Sequence, residues 1–126
     1  MTKVFISQPM KGLTANEIKA NRKKAIDLIT LKYDGDVEFI DSFIEEDAPK
    51  INNIATYYLG KSIEMMADAE VVAFLPGYEK ARGCMIEYNV ARSYGYTIIM
   101  ISEDYKSTSG IRHSDATDNT INRIVL

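Results

Sequence analysis

Glu70 to Leu75 reads EVVAFL, six residues in which every position after the first is apolar. A strand with one face in water alternates polar and apolar residues. A strand without that alternation is buried on both faces, and this is the signature of the interior of a parallel sheet covered by helices. The rest of the chain fits that demand. Lys3 to Ile6 is a short β-branched and aromatic run, and Val37 to Ile40 and Thr97 to Ile101 are two more. Between them lie helical patterns. Thr14 and Glu17 form a capping box, and Ile18, Ala25, Ile26, Ile29 and Tyr33 recur at helical spacing to about Tyr33. A second helix is expected from about Asn53 to Ala67, interrupted by Gly60. That glycine costs roughly 1 kcal/mol relative to Ala, which suggests close packing or a ligand approach. A third helix is entered at Gly83, with Ile86, Val90, Ala91 and Tyr94 toward the core, and ends at Gly95.

The order β-α-β-α-β-α-β predicts a doubly wound parallel sheet in a three-layer αβα sandwich, with right-handed crossovers. A flavodoxin-like strand order of 2-1-3-4 is expected. Residues 118 to 126 fit either a short helix or an edge strand. The segment from 102 to 120 is polar and reads as a flexible tail, with Ser107 to Gly110 at its centre. With 126 residues, the chain is read as a single domain over 1–126.

In such sheets ligands bind outside the carboxyl ends of the strands, where the order reverses. First and third strands flank that point. The loops expected to matter are therefore Ser7 to Leu13, Asp41 to Phe43 and Pro76 to Gly83. The first offers Ser7, Gln8, Pro9, Met10, Lys11 and Gly12 as substrate contacts, and the second offers Asp41 and Ser42. The third offers Gly77, Lys80, Arg82 and Gly83. Two cations beside exposed helix N–H groups suit an anion such as a phosphate. Met10, Tyr57, Tyr58 and Tyr78 are candidate apolar or stacking walls. Glu87 is read in the first turn of the third helix, where the macrodipole favours a negative charge. That placement is common for structural glutamates, and it would also keep a nucleophilic carboxylate ionised. Asp68 lies at the opposite sheet edge and reads as a structural residue at a helix end. Arg22 reads as a helix-face residue, and His113 is given no chemistry.

Several chemistries are excluded. The chain has neither GxxxxGK[ST] nor GxGxxG, so the P-loop and dinucleotide fingerprints are absent. One His and one Cys support neither a Ser-His triad nor a zinc site. No cofactor and no metal are expected. A net charge of −3 argues against a nucleic acid polymer as partner. No apolar run approaches the roughly 18–20 residues of a membrane span, and Met1 to Lys3 shows no signal-peptide pattern. A cytoplasmic protein is expected.

The stretches VFISQPMKG and EVVAFLPGYEKARGCMIEYNVARSYG, in this βα order, resemble the nucleoside 2-deoxyribosyltransferase superfamily. That superfamily includes 2′-deoxynucleoside 5′-phosphate N-hydrolases. The likeness extends to about Ile101 and is nearest to small, often phage-borne members. It implies that Glu87 is the nucleophile, that Gly83 is the glycine four residues before it, and that Ser7 to Gly12 touch base, sugar or phosphate. The implied chemistry is attack of the carboxylate on C1′ of a deoxyribose, giving a glycosyl-enzyme that passes to water or to another base. The resemblance also implies a homodimer or larger homo-oligomer. Two family acids are missing, at Ala81 and Gly60, and Asp41 is the candidate to supply a carboxylate instead. Lys80 and Arg82 favour a phosphorylated substrate. Hydrolase, transferase and a non-catalytic nucleotide-binding module on the same fold remain the three readings.

Overall fold

A computed structural model describes residues 1–42, 48–103 and 123–126. Most of the polar segment expected as a tail, with His113, lies outside the described residues, as do Phe43 and the acids at 45–47 of the second loop.

Five strands form one sheet: β1 (Thr2–Ser7), β2 (Val37–Phe39), β3 (Val71–Phe74), β4 (Thr97–Met100) and β5 (Arg123–Val125). Their order is β2-β1-β3-β4-β5 and every pairing is parallel. The expected order of four strands holds, and the undecided C-terminal segment supplies the fifth, at the edge beside β4. Three helices flank the sheet: α1 (Ala15–Lys32), α2 (Ile54–Met66) and α3 (Arg82–Ser93). The capping box at Thr14 and Glu17 is formed in both directions.

Alternation along β1 divides the core in two. Val4 and Ile6 pack with Ala25 and Ile29 of α1, together with Val71 and Ala73 of β3. Phe5 points the other way, with Val72, Phe74, Met66 of α2 and Ala91 of α3. All four residues of β3 are buried, as the unbroken apolar run requires. Its apolar residues serve both clusters.

Two expectations about the helices are corrected. In α3 the buried residues are Cys84, Glu87 and Ala91. Ile86 is 37% exposed and Tyr94 79% exposed, so neither belongs to the core stripe. Ile86 lies five residues before Ala91, roughly 140° away around the helix. Gly60 is exposed within α2, and an added Cβ would meet nothing within 4 Å. It therefore marks no close approach of backbone or ligand. Gly60→Ala should stabilise the protein by about 0.5–1 kcal/mol, because the helix then loses less chain entropy on folding; a denaturant midpoint left in place or lowered would contradict this.

Asp68, where the chain leaves α2, pairs with Lys3 of β1 at 3.1 Å. That is the edge of the sheet opposite the carboxyl ends of β1 and β3. Among the described residues, no helix is long and apolar enough to cross a membrane.

Candidate active site

The alternation that sends Phe5 toward α2 and α3 sends Ser7 the same way, since both lie two residues apart on one face of β1. Ser7 ends that strand and is 1% exposed. Its Oγ donates a hydrogen bond to Glu87 Oε1 at 2.6 Å. Glu87 is 7% exposed and occupies an inner position of α3, where an apolar side chain would be the ordinary choice. Removal from water pushes its carboxyl above the usual glutamate range, and the Ser7 hydroxyl opposes that rise without cancelling it. The expected first-turn placement is corrected: α3 begins at Arg82, so Glu87 is its sixth residue and lies in the second turn. The helix dipole fades within the first turn. Burial, rather than the dipole, sets the state of this carboxyl.

Above the pair opens a cleft of about 820 Å³. Its walls come from four places. The loop after β1 contributes Gln8 to Lys11, and the start of α2 contributes Asn53, Thr56, Tyr58 and Ser62. The loop after β3 contributes Gly77, Lys80 and Ala81, and α3 contributes Arg82, Gly83, Cys84, Ile86 and Glu87. Among the described residues of the wall, Glu87 is the sole carboxylate, while Lys11, Lys80 and Arg82 are cations exposed at its border. Ala81 is the N-cap of α3 and provides no side-chain cap. The first turn of the helix, uncapped by a side chain, thus lies at the same border as the cations.

The residues anticipated from sequence divide as follows. Gln8, Pro9, Met10, Lys11, Gly77, Lys80, Arg82, Gly83 and Glu87 all line the cleft. Ser7 lies beneath it and acts through Glu87. Gly12 does not line it; its φ of +82° serves the turn that leads into α1. Asp41 and Ser42 do not line the cleft. They follow β2, the edge strand one place beyond β1. There the Asp41 charge faces Arg22 of α1, whose guanidinium also donates to the Ile40 carbonyl at 3.3 Å. Of the tyrosines, Tyr58 lines the cleft. Tyr78 instead packs among Phe74 and Tyr88, with ring centroids 5.5 and 5.7 Å away, and Tyr57 stacks on Tyr58 at 5.5 Å.

Cys84 and the α2 residues other than the two tyrosines were not anticipated. Cys84 is buried one turn before Glu87, and burial pushes its thiol pKa up, so it is held as the neutral S–H. The available signal was its i, i+3 spacing from Glu87 on one helix face. For α2 the signal was Asn53, whose side chain accepts from the Thr56 N–H at 3.0 Å. A cap there starts the helix at the carboxyl edge of the sheet. Among the described residues, no group of three or more His, Cys, Asp or Glu is arranged to hold a metal ion.

The family described as Domain of unknown function (DUF4406) matches residues 2–100, which carry β1 to β4 and every residue that lines the cleft. The chain belongs to the DUF4406 family. Its fold is similar to that of a conserved protein from Enterococcus faecalis V583, whose crystal structure aligns with a TM-score of 0.59 at 12% identity. That alignment covers 100% of this DUF4406 chain and 82% of the other. At such identity the likeness is one of fold. No curated protein matches the chain. Among the described residues, the cleft thus joins a buried, hydroxyl-bonded carboxyl to a border that carries Lys11, Lys80 and Arg82.

Proposed function

We propose that this protein cleaves or transfers the N-glycosidic bond of a deoxynucleoside or deoxynucleotide, with Glu87 as nucleophile. One observation carries the reading: a buried carboxyl, bonded to Ser7 at 2.6 Å, lies on the floor of a cleft whose border is cationic. The resemblance of the strand-one and helix-three stretches to the nucleoside 2-deoxyribosyltransferase superfamily supports it. In the first step a Glu87 oxygen bonds to C1′ as the C1′–N bond breaks. The electron pair leaves with the base nitrogen, which takes up a proton from solvent in the cleft. In the second step water, or the nitrogen of another base, attacks C1′, loses its proton to solvent and restores the carboxylate. Ser7 holds Oε1 in place, so the second oxygen is the one free to attack. Lys80, Arg82 and the start of α3 would receive a 5′-phosphate.

The test is incubation with deoxynucleosides and their 5′-monophosphates, following free base by chromatography. Release or exchange of base by wild type, abolished in Glu87→Gln, supports the reading. No release from any of them, or full activity in the variant, overturns it. Arg82→Ala should lower kcat/KM for a 5′-monophosphate about tenfold or more, the worth of one charge-assisted contact, with little change for the unphosphorylated nucleoside. Equal losses on both would remove the phosphate role.

A specific observation favours a second reading, a module that binds a nucleotide without turnover. Glu87 is the sole carboxylate among the described residues of the wall, and its burial favours the protonated form. That reading predicts thermal stabilisation by ligand with no product. Either reading accommodates self-association at the cleft. Met10 and Ile86 line it, Ile54 opens α2 beside it, and they are 61%, 37% and 51% exposed. A monomeric mass at working concentration would refute the oligomer.

A further inference from the structure

Behind the loop after β1 lies a second cavity, of about 220 Å³, bounded by α1. Gln8 and Pro9 line both it and the cleft, so one wall separates two spaces. Asn21 and Ala25 of α1 form another side, and Leu75 and Ile101, both buried just past the ends of β3 and β4, supply apolar floor. Two exposed side chains on the border, Lys24 and Glu103, carry opposite charges.

Size and chemistry narrow the occupant. A void of roughly 150 Å³ lined only by apolar groups admits benzene and no water. This cavity is larger and has two amide side chains in its walls, so it suits a ring that also hydrogen-bonds. Leu75, Ile101 and Ala25 give such a ring apolar contact. Gln8 and Asn21 offer donors and acceptors to its edge. The Gln8 amide is already anchored, since its Nε2 donates to the Ile18 carbonyl at 3.1 Å. Less side-chain freedom is then lost when a ligand binds. Among the described residues, the opposite charges on the border give no preference to an anion or a cation. The cleft differs in that respect, since its border is cationic.

We infer that this cavity is a second ligand site, for a neutral planar heterocycle of nucleobase size. Its occupant touches Gln8, the residue next to Ser7. The site does not depend on chemistry at Glu87.

The experiment is methyl NMR on the full chain, titrated separately with adenine, cytosine and uracil, with benzoate as an anionic control. At least one of the three bases should give saturable shifts at the methyls of Leu13, Ala25, Leu75 and Ile101, and benzoate should not. Asn21→Leu should weaken that binding by about tenfold, the loss expected for one hydrogen bond at an otherwise intact site. Leu13→Trp, at a partly exposed wall position, should block the cavity without unfolding the chain. Glu87→Gln should leave these shifts unchanged, which separates this site from any failure at the cleft. Absence of saturation at these methyls up to millimolar base overturns the inference. So does saturation that survives Leu13→Trp, or shifts confined to Ala55 and Ile86 of the cleft.

Discussion

Glu87→Gln should abolish base release while making the protein harder to melt. In the double displacement proposed above the nucleophile has no substitute, so that reading expects a loss of rate of at least about a thousandfold. The stability gain follows from burial. In the unfolded chain Glu87 ionises in the ordinary glutamate range, and in the folded protein it ionises higher. Below both values each state is protonated and burial of the acid carries no ionic cost. As pH rises between them the unfolded state releases its proton first, and wild type loses stability. The loss is complete above the folded value. Glutamine never incurs it. The variant should therefore match wild type in acid and exceed it at neutral pH. At this chain length each ~1 kcal/mol is worth about 3–5 °C, and a gain of that order is expected. Calorimetry across the acid-to-neutral range checks it; an advantage that shrinks as pH rises would show that Glu87 is not the group at work.

Ser7→Ala should have the next largest effect and a different pH signature. The hydroxyl supplies a 2.6 Å hydrogen bond to a carboxylate that is otherwise enclosed. Its removal should cost about 1.5–3 kcal/mol at neutral pH, where the acceptor is most charged. Because that bond pulls the Glu87 value down, its loss pushes the carboxyl higher still. The proposed attack on C1′ requires the ionised form. The acid limb of the rate profile should move toward higher pH, with a neutral-pH rate about ten- to a hundredfold lower that recovers in part in alkali. Ser7→Thr keeps the donor and should retain most of the rate. The direct readout is the Glu87 carboxyl carbon followed by NMR against pH. An unshifted titration would refute the role given to Ser7.

Much of the architecture is legible in the sequence because its cause is local. EVVAFL can hardly be anything but an interior strand, and Thr14 with Glu17 marks the start of α1 by its own hydrogen bonds. The strand Arg123–Val125 is not legible in that way. Three residues carry too little period to separate strand from helix, and its pairing with Ile98 to Met100 is a tertiary fact. The site follows the same division. Positions in the loops after β1 and β3 were accessible through topology, which assigns a sheet edge to each. Asp41 lies off the cleft wall because topology ranks the edge and not the distance along it: β2 stands one strand beyond β1. Gly60 gives no sequence sign of its open surroundings, because a glycine has the same letter whether or not something presses on it. Tyr78 looked like a loop aromatic, but the turn after Gly77, where φ is +89°, folds it back onto Phe74. The state of Glu87 was misjudged for a related reason. Its position in α3 depends on where the helix begins, and its burial depends on β1.

Ser7 and Glu87 are 80 residues apart, and each lies on an element that reaches the other only through a sheet built from non-adjacent strands. No local segment of the chain can assemble the pair. Loop closure of that length is costly and comes late in sheets of high contact order. On that basis the acid is expected to stay hydrated through most of folding and to be desolvated near the end. A penalty incurred after the rate-limiting barrier appears in unfolding, not in folding. In stopped-flow experiments Glu87→Gln should slow the unfolding limb and leave the refolding limb in place, so that the buried acid shortens the lifetime of the native state without hindering its formation.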